Sequence, residues 1–470
     1  MIFSLNKYVY KRQYDKYTLL TDVLNRKSYV FECAGDFSAG ITHDLCDTRK
    51  LAKSLAQDFD WPIDTVQNDL DEYVRTLGAL KIVQIHDQTF NGAAVETEVC
   101  VDVSNSATPQ ELLSNYFMSN PTLVNLQIDI TQACTERCIH CYIPEYRSEH
   151  LPLEDAEHVI SWFADNGGLS LSISGGECMM HPEFNNIISF AASRDIAVKV
   201  FTNLTLCTDD TITLLKGSCA RVQTSLYSLD EEVHDGITRV HGSLRKTRYW
   251  LERLLHAGVP CEIACPLMKE NLGGYSDVRN YAGQLNVPLT TDYTIIGRTD
   301  RSTDNLAHRL SVEETESVLA TIASASIKDN PDYFKRYFQS ECFSRAHEGD
   351  WLTAPLCDIC ISTMCLDAMG NFHPCSAFTG ITLGNCRKDS LDWIWKDSPE
   401  TLRLRSLRGH DVKQCCGCPD RPYCNICPCR NYNETGDMLL PSQYFCEIAR
   451  ANRRVVESYR SAMTFAQHQI

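Results

Sequence analysis

Thr131-Gln132-Ala133-Cys134-Thr135-Glu136-Arg137-Cys138-Ile139-His140-Cys141-Tyr142 sets three cysteines at the spacing Cys-x3-Cys-x2-Cys. The stretch follows Leu123–Ile130, an apolar run that reads as a strand, so the cysteines fall on a loop at a strand's C-terminal end. Three thiolates on one such loop can converge on a single metal centre. They are one short of the four that satisfy a cubane [4Fe–4S] cluster, which leaves an iron open to a ligand. A zinc knuckle completed by His140, or three unrelated cysteines, is the simpler alternative.

On either side the pattern alternates strand and helix. Further strands are expected at Leu169–Ser174, Val198–Thr202, Arg221–Leu226, Cys261–Leu267 and Leu289–Ile295. Helical stripes lie between them, such as Ala156, Val159, Ile160 and Phe163, and the segment Ser243–His256. Five such alternations and a sixth strand predict an α/β fold with a parallel sheet, either open or curled into a partial (β/α)6 barrel. In such folds the active site gathers at the strands' C-terminal ends. The second strand ends there in Ser174-Gly175-Gly176-Glu177, and beyond about residue 340 cysteine, glycine and proline replace the alternation.

Residues 1–90 read as a separate α+β unit. Tyr17–Leu24 and Ser28–Cys33 suit two strands around Asn25-Arg26-Lys27. Leu51, Leu55 and Phe59 give one helical stripe, and Val66, Leu70, Val74 and Leu77 a second, with Gly78 as its stop. Ile82–Ile85 suits a closing strand, and the set suggests a winged-helix shape. Residues 91–120 are polar and turn-rich and are expected to form a linker. The expected domains are therefore 1–90, a linker 91–120, a barrel 121–340 and a cysteine-rich domain 341–470.

The 470 residues carry 44 basic and 61 acidic side chains, a net charge of −17. That balance weighs against a nucleic-acid partner, which needs clustered Lys and Arg. The N-terminal stretch lacks the apolar core of a signal peptide, and no apolar run approaches a membrane span. A cytoplasmic location is expected, where the 24 cysteines suit metal ligation better than disulfides. Thirteen of them lie from Cys342 onward.

Cys134, Cys138, Cys141 and Tyr142 together resemble the cluster loop of the radical S-adenosylmethionine (radical SAM) enzymes. Gly175-Gly176-Glu177 resembles that family's Gly-Gly-Glu segment, one βα unit further on. Thr202-Asn203, Ser225, His234-Asp235, Gly242-Ser243 and Gly297-Arg298 follow in the family's order. Two positions depart from it: Tyr227 stands where an aspartate is common, and Thr238 where an arginine is, with Arg239 one place later. The resemblance implies that Tyr142, Gly175, Gly176, Glu177, Asn203, Ser225 and Arg239 contact S-adenosylmethionine (SAM). The glycines would admit its methionyl amino group, and Glu177 would offer an acceptor to a cation. It implies as well that a reduced cluster splits SAM to methionine and a 5′-deoxyadenosyl radical, which abstracts hydrogen from a substrate.

The tail resembles the SPASM extension of these enzymes: Cys360-x9-Gly370-x4-Cys375, then Cys415-x2-Cys418-x5-Cys424, Cys427 and Cys446. It implies two auxiliary [4Fe–4S] clusters behind the single SAM-binding one. Cys357, Cys360, Cys375 and Cys427 are assigned to the first, and Cys415, Cys418, Cys424 and Cys446 to the second. Cys365, Cys416 and Cys429 stand as substitutes, and zinc at one site is the alternative. Cys178 and Cys265 are possible hydrogen-atom donors, with ordinary packing the simpler account.

Residues 1–90 resemble the leader-peptide recognition (PqqD-like) domains fused to peptide-modifying enzymes, which bind a leader as an added strand. The expectation is a radical SAM/SPASM peptide maturase acting on a ribosomally made precursor held through its leader, with a thioether cross-link as product. Carbon–carbon or carbon–oxygen cyclisation, epimerisation and formylglycine-type protein oxidation are the alternatives. A non-catalytic electron-transfer or leader-binding module is the alternative from outside enzymology. The partners expected are the precursor and a reductant such as flavodoxin or ferredoxin, with no nucleic acid and no membrane.

Overall fold

The computed structural model describes residues 1–15, 17–32, 41–86, 109–329 and 350–467. Cys33, Cys100, Cys342, the first part of the expected linker and the boundary near residue 340 lie outside these residues.

The N-terminal part contains strands β1 (Ile2–Leu5), β2 (Val9–Tyr14), β3 (Tyr17–Asp22), β4 (Lys27–Glu32) and β5 (Cys46–Asp47), helices α1 (Thr48–Phe59) and α2 (Ile63–Ala79), and strand β6 (Val83–Ile85). Two small sheets result. The hairpin β3–β4 is extended by β2 into a meander, and β1 pairs antiparallel with β5 on one side and β6 on the other. The closing strand therefore joins β1, not the hairpin. Asp47 starts α1 by accepting the backbone N–H of Arg49. Val66, Leu70, Val74 and Leu77 form the buried stripe of α2 and share a core with Phe3, Leu20, Leu55 and Ile82.

Part of the expected linker is helical. Pro109–Ser119 forms α3, with Leu113 and Phe117 buried and Phe117 edge-on to Tyr14 at 5.2 Å between ring centroids. The polar run preceding it obscured an apolar pair at helical spacing.

The central sheet begins with β7 (Asn125–Thr131), β8 (Ser170–Gly175), β9 (Ala197–Phe201), β10 (Arg221–Ser225), β11 (Cys261–Ala264) and β12 (Leu289–Thr290). All six are parallel and lie in sequence order. Leu126, Ile128, Ile130, Leu171, Ile173, Val198 and Val200 alternate as the fully buried set, packed with Val159, Ile160 and Phe163 of the helix Leu153–Asp165. The tail continues the same sheet. Strand β13 (Thr363–Leu366) pairs parallel with β7, and β14 (Asn371–His373) and β15 (Gly384–Asn385) follow antiparallel, giving nine strands.

The β2–β4 meander closes the N-terminal ends of the central strands, opposite the cysteine loop. Arg12 donates to the carbonyls of Gly168 (2.7 Å) and Asp195 (2.5 Å), which immediately precede β8 and β9. Tyr14 donates to Gly167, and Arg221 at the start of β10 donates to Val23. Buried Glu262 on β11 takes Lys199 of β9 and Arg26 of the hairpin turn, each at 2.5 Å. Among the described residues no helix is long and apolar enough to cross a membrane.

Candidate active site and auxiliary cysteine centres

The cysteine loop lies against the Gly-Gly-Glu turn. Gly176 donates its N–H to Thr131 O at 2.9 Å, and Glu177 donates to Ala133 O at 2.7 Å. This contact explains the glycines physically. Gly175 has φ +130°, and a Cβ there would meet Thr131 O at 2.2 Å. A Cβ on Gly176 would meet Ala133 O at 2.2 Å and Cys134 Cβ at 2.9 Å.

Cys134, Cys138 and Cys141 line one cavity of about 160 Å³, together with Tyr142, Gly175, Gly176, Asn203 and Ser225. Asn203 donates to Thr135 Oγ1 at 2.9 Å and so ties the end of β9 to the cysteine loop. Tyr142 pairs with Ser376 of the tail. Burial pushes the Cys134 thiol up to about 12, so it keeps its proton until a metal displaces it.

Two expected contacts take other places. Glu177 is fully buried and does not line the cavity. Its carboxylate accepts the N–H of Met179 (3.0 Å), the hydroxyl of Thr202 (2.7 Å) and the N–H of Asn203 (2.7 Å), fastening β8 to β9. Burial raises its pKa and these donors oppose the rise. Arg239 is an exposed left-handed cap at the end of the helix Glu231–Thr238, and the structure does not bring it to the cavity. His234-Asp235 and Gly242-Ser243 form a clasp: Asp235 accepts from Gly242 N–H, Ser243 Oγ and Leu244 N–H at the start of the next helix.

Two lining residues, Glu136 and Tyr227, were missed as functional candidates, and a third, His140, was weighed only as a zinc ligand. Glu136 is 3% exposed, and burial pushes its carboxyl up to about 8. His140 faces the cavity with its ring 5.0 Å from that of Tyr227, and burial lowers it to about 4. Its Nδ1 has no hydrogen-bond partner. Tyr227 donates its hydroxyl to Cys138 Sγ at 3.8 Å. The sequence signal was position alone: Glu136 and His140 sit between the cysteines, and Tyr227 replaces a common aspartate. Gly297-Arg298 also gains a place, since Arg298 reaches Pro144 O and Thr299 donates to Tyr142 O, closing a turn on the cysteine loop.

The tail cysteines gather in two groups. Cys415, Cys418, Cys424 and Cys446 border a cavity of about 240 Å³, whose wall also includes Cys427. Cys357, Cys360 and Cys375 neighbour one another, with Cys427 beside Cys357. Cys429 joins this second group as a fifth thiol, hydrogen-bonded to Cys375 and Cys427. Cys365 points its thiol at Asp129 (3.7 Å), and Cys416 at the carbonyls of His410 and Val412. Among the described residues, no three cysteine sulfurs lie mutually within 4.8 Å. Cys178 and Cys265 are buried, donating to Phe201 O and Tyr227 O, and neither lines the SAM-loop cavity.

Residues 128–281 match the radical SAM superfamily, and residues 357–419 match SPASM, an iron–sulfur cluster-binding domain. The chain is similar to the antilisterial bacteriocin subtilosin biosynthesis protein AlbA of Bacillus subtilis, 23% identical over 72% of this chain and 75% of that protein. It is similar to the AdoMet-dependent heme synthase of Methanosarcina barkeri, 24% identical over 67% of this chain and 94% of that protein. Among solved structures it is similar in fold to Streptococcus suis SuiB bound to S-adenosylmethionine, with TM-score 0.57, 15% identity, and coverage of 94% of this chain and 99% of that one. SuiB has also been solved bound to its precursor peptide SuiA. The chain thus carries a radical SAM domain followed by a SPASM domain, and it is an enzyme that uses S-adenosylmethionine and iron–sulfur clusters.

Proposed function

We propose that the chain is a peptide maturase that modifies a ribosomally made precursor, with a thioether cross-link as product. The observation that carries this is the three-thiol loop pinned to the Gly-Gly-Glu turn around one cavity, in the same sheet as a tail bearing two further cysteine groups. Cys134, Cys138 and Cys141 would hold the SAM-binding [4Fe–4S] cluster, and the donor set fits it: three thiols with no fourth cysteine lining the cavity. Reductive cleavage of bound SAM would supply the radical that takes hydrogen from the peptide. Gly175, Gly176, Asn203, Ser225 and His140 would orient SAM, and the Glu177 carboxylate would hold the walls in register.

In the tail, Cys357, Cys360, Cys375 and Cys427 would hold one auxiliary cluster and Cys415, Cys418, Cys424 and Cys446 the other. Four thiolates per group is the donor set of a [4Fe–4S] cluster and of structural zinc alike, and the match to an iron–sulfur cluster-binding domain favours clusters. Residues 1–90 would be a PqqD-like recognition unit for the leader, with β5 and β6 as the edges of the β5-β1-β6 sheet that an added strand could extend. The similarity to AlbA and the fold shared with SuiB support a peptide substrate. A flavodoxin or ferredoxin in the cytoplasm would supply the electrons.

Similarity to heme synthases makes a non-peptide substrate the second reading. The test is anaerobic reconstitution with SAM and dithionite, followed by the candidate precursor. Deoxyadenosine above a Cys134→Ala control, and a mass loss of two hydrogens on the peptide, are expected. A loaded SAM cluster that forms no deoxyadenosine overturns the reading, and turnover without any change in peptide mass removes the cross-link.

A further inference from the structure

We infer that Gln223 binds the backbone of the substrate, taking the N–H and C=O of one extended peptide residue. The inference rests on the peptide reading proposed above and names the chemistry by which this site would recognise it.

Side chains alternate along each central strand. Leu171, Ile173, Val198, Val200 and Val222 pack with the helices, so Ser174, Phe201 and Gln223 lie on the opposite, inner face. The strand register sets these three in one row. Phe201 pairs with Gln223, and Ile173 with Val200, which brings Ser174 beside Phe201. The row continues to Asp129 on one side and Glu262 on the other. Barrel interiors are usually filled at such a level by branched apolar side chains. Here a single aromatic ring stands between hydrogen-bonding groups.

The charged ends of the row are already engaged. Asp129 accepts from Gln127 at 2.7 Å, and Glu262 takes Lys199 and Arg26 at 2.5 Å each. The middle of the row is open: Ser174, Phe201 and Gln223 line the cavity beside the cysteine loop. Among the described residues, neither the Ser174 hydroxyl nor the Gln223 amide has a hydrogen-bond partner. Gln223 stands two residues before Ser225, about 6.6 Å deeper in the barrel than the strand end proposed to hold SAM.

A glutamine amide presents a carbonyl acceptor and an N–H donor side by side. In an extended chain the N–H and C=O of one residue point to the same side, which is how antiparallel strands exchange paired bonds. One Gln223 amide therefore matches one peptide residue. No Lys or Arg lines the cavity, so a substrate recognised by its carboxylates would find no counter-ion there.

The test gives anaerobic, SAM-loaded holoenzyme and dithionite two deuterated probes. N-acetylalanine methylamide carries the N–H and C=O of one residue. O-acetyllactate methylamide has the same shape, with that N–H replaced by oxygen. The readout is deuterium carried into deoxyadenosine as probe concentration rises. Wild type should half-saturate with the amide at about 3- to 10-fold lower concentration than with the ester, the worth of one neutral hydrogen bond. Gln223→Leu should erase that preference, and Gln223→Glu, which keeps an acceptor for the N–H, should retain it. Wild type that shows no preference, or takes deuterium from neither probe, overturns the inference, as does a Leu variant that keeps the preference. SAM affinity is read alongside by equilibrium dialysis. A fall there as large as the loss for the amide assigns Gln223 to SAM and overturns the inference too. Should the Leu variant load iron poorly, Gln223→Met replaces it, and a Glu variant with full iron but no preference refutes the assignment. Wild type with a filled cluster that forms no deoxyadenosine at all would instead defeat the proposed function itself.

Discussion

Replacing Gly176 with alanine probes the contact on which the active-site geometry depends. The new Cβ would sit 2.2 Å from Ala133 O and 2.9 Å from Cys134 Cβ. Ordinary contacts of this kind lie near 3.5 Å, so the cysteine loop must retreat by more than an ångström. Overpacking of that size costs about 1–3 kcal/mol. The retreat also weakens two hydrogen bonds, Gly176 N–H to Thr131 O and Glu177 N–H to Ala133 O, each worth about 0.5–1.5 kcal/mol. A local penalty of roughly 2–6 kcal/mol follows, concentrated on Cys134. The expected result is loss of the loop's cluster, about 4 iron atoms per chain, with the tail's iron retained and deoxyadenosine formation abolished. Gly283→Ala is the control, because its Cβ meets nothing within 4 Å and the site is helical. Iron and sulfide analysis, read beside deoxyadenosine yield, checks the prediction. A Gly176→Ala enzyme that loads and cleaves SAM like the wild type would refute the pinning argument.

Glu262→Ala leaves half-buried Lys199 without its partner and should lower stability by about 1–3 kcal/mol in urea unfolding, with Lys199→Met restoring much of the loss. Arg309→Met strands buried Glu434, the other half of an ion pair in which both side chains are 8% exposed, and removes a donor from Ile295 O. A similar loss is expected, detected as a lower thermal midpoint. Burial holds His234 at about 4, below its ordinary 6.5, so the unfolded chain binds the proton first. Its contribution of roughly 3 kcal/mol is complete above pH 6.5 and disappears as pH falls toward 4. His234→Asn should flatten that part of the stability profile.

The parallel core was legible because its signals are local. Apolar alternation marked each of the six strands, although the fifth ends at Ala264 and the sixth at Thr290, short of the expected Leu267 and Ile295, and the cysteine loop and Gly-Gly-Glu turn announced themselves by spacing. What escaped notice depends on distant partners. Nothing near Met1 shows that Ile2–Leu5 pairs with strands about 45 and 80 residues away. Leu113 and Phe117 looked like part of a linker until Tyr14 and the start of β7 supplied their contacts. The role expected of Glu177 shifted for a similar reason, because Thr202 and Asn203 lie one strand further on. Arg239 followed the family pattern by one displaced position, and the left-handed cap carries it outward.

The pairing of β13 with β7 means that the tail is no tethered module. Residues 363–366 and 125–128 run in fixed register, Cys365 opposite Gln127, with the cysteine loop beginning a few residues beyond on one strand and Cys375 on the neighbouring hairpin. The backbone ladder therefore sets the cysteine loop against the hairpin that leads to Cys375. Their offset is quantised by strand register, in steps of about 3.3 Å per residue, and a single slip would also turn each side chain to the opposite face. Lengthening a loop elsewhere leaves that offset untouched, whereas inserting one residue into β13 shifts it.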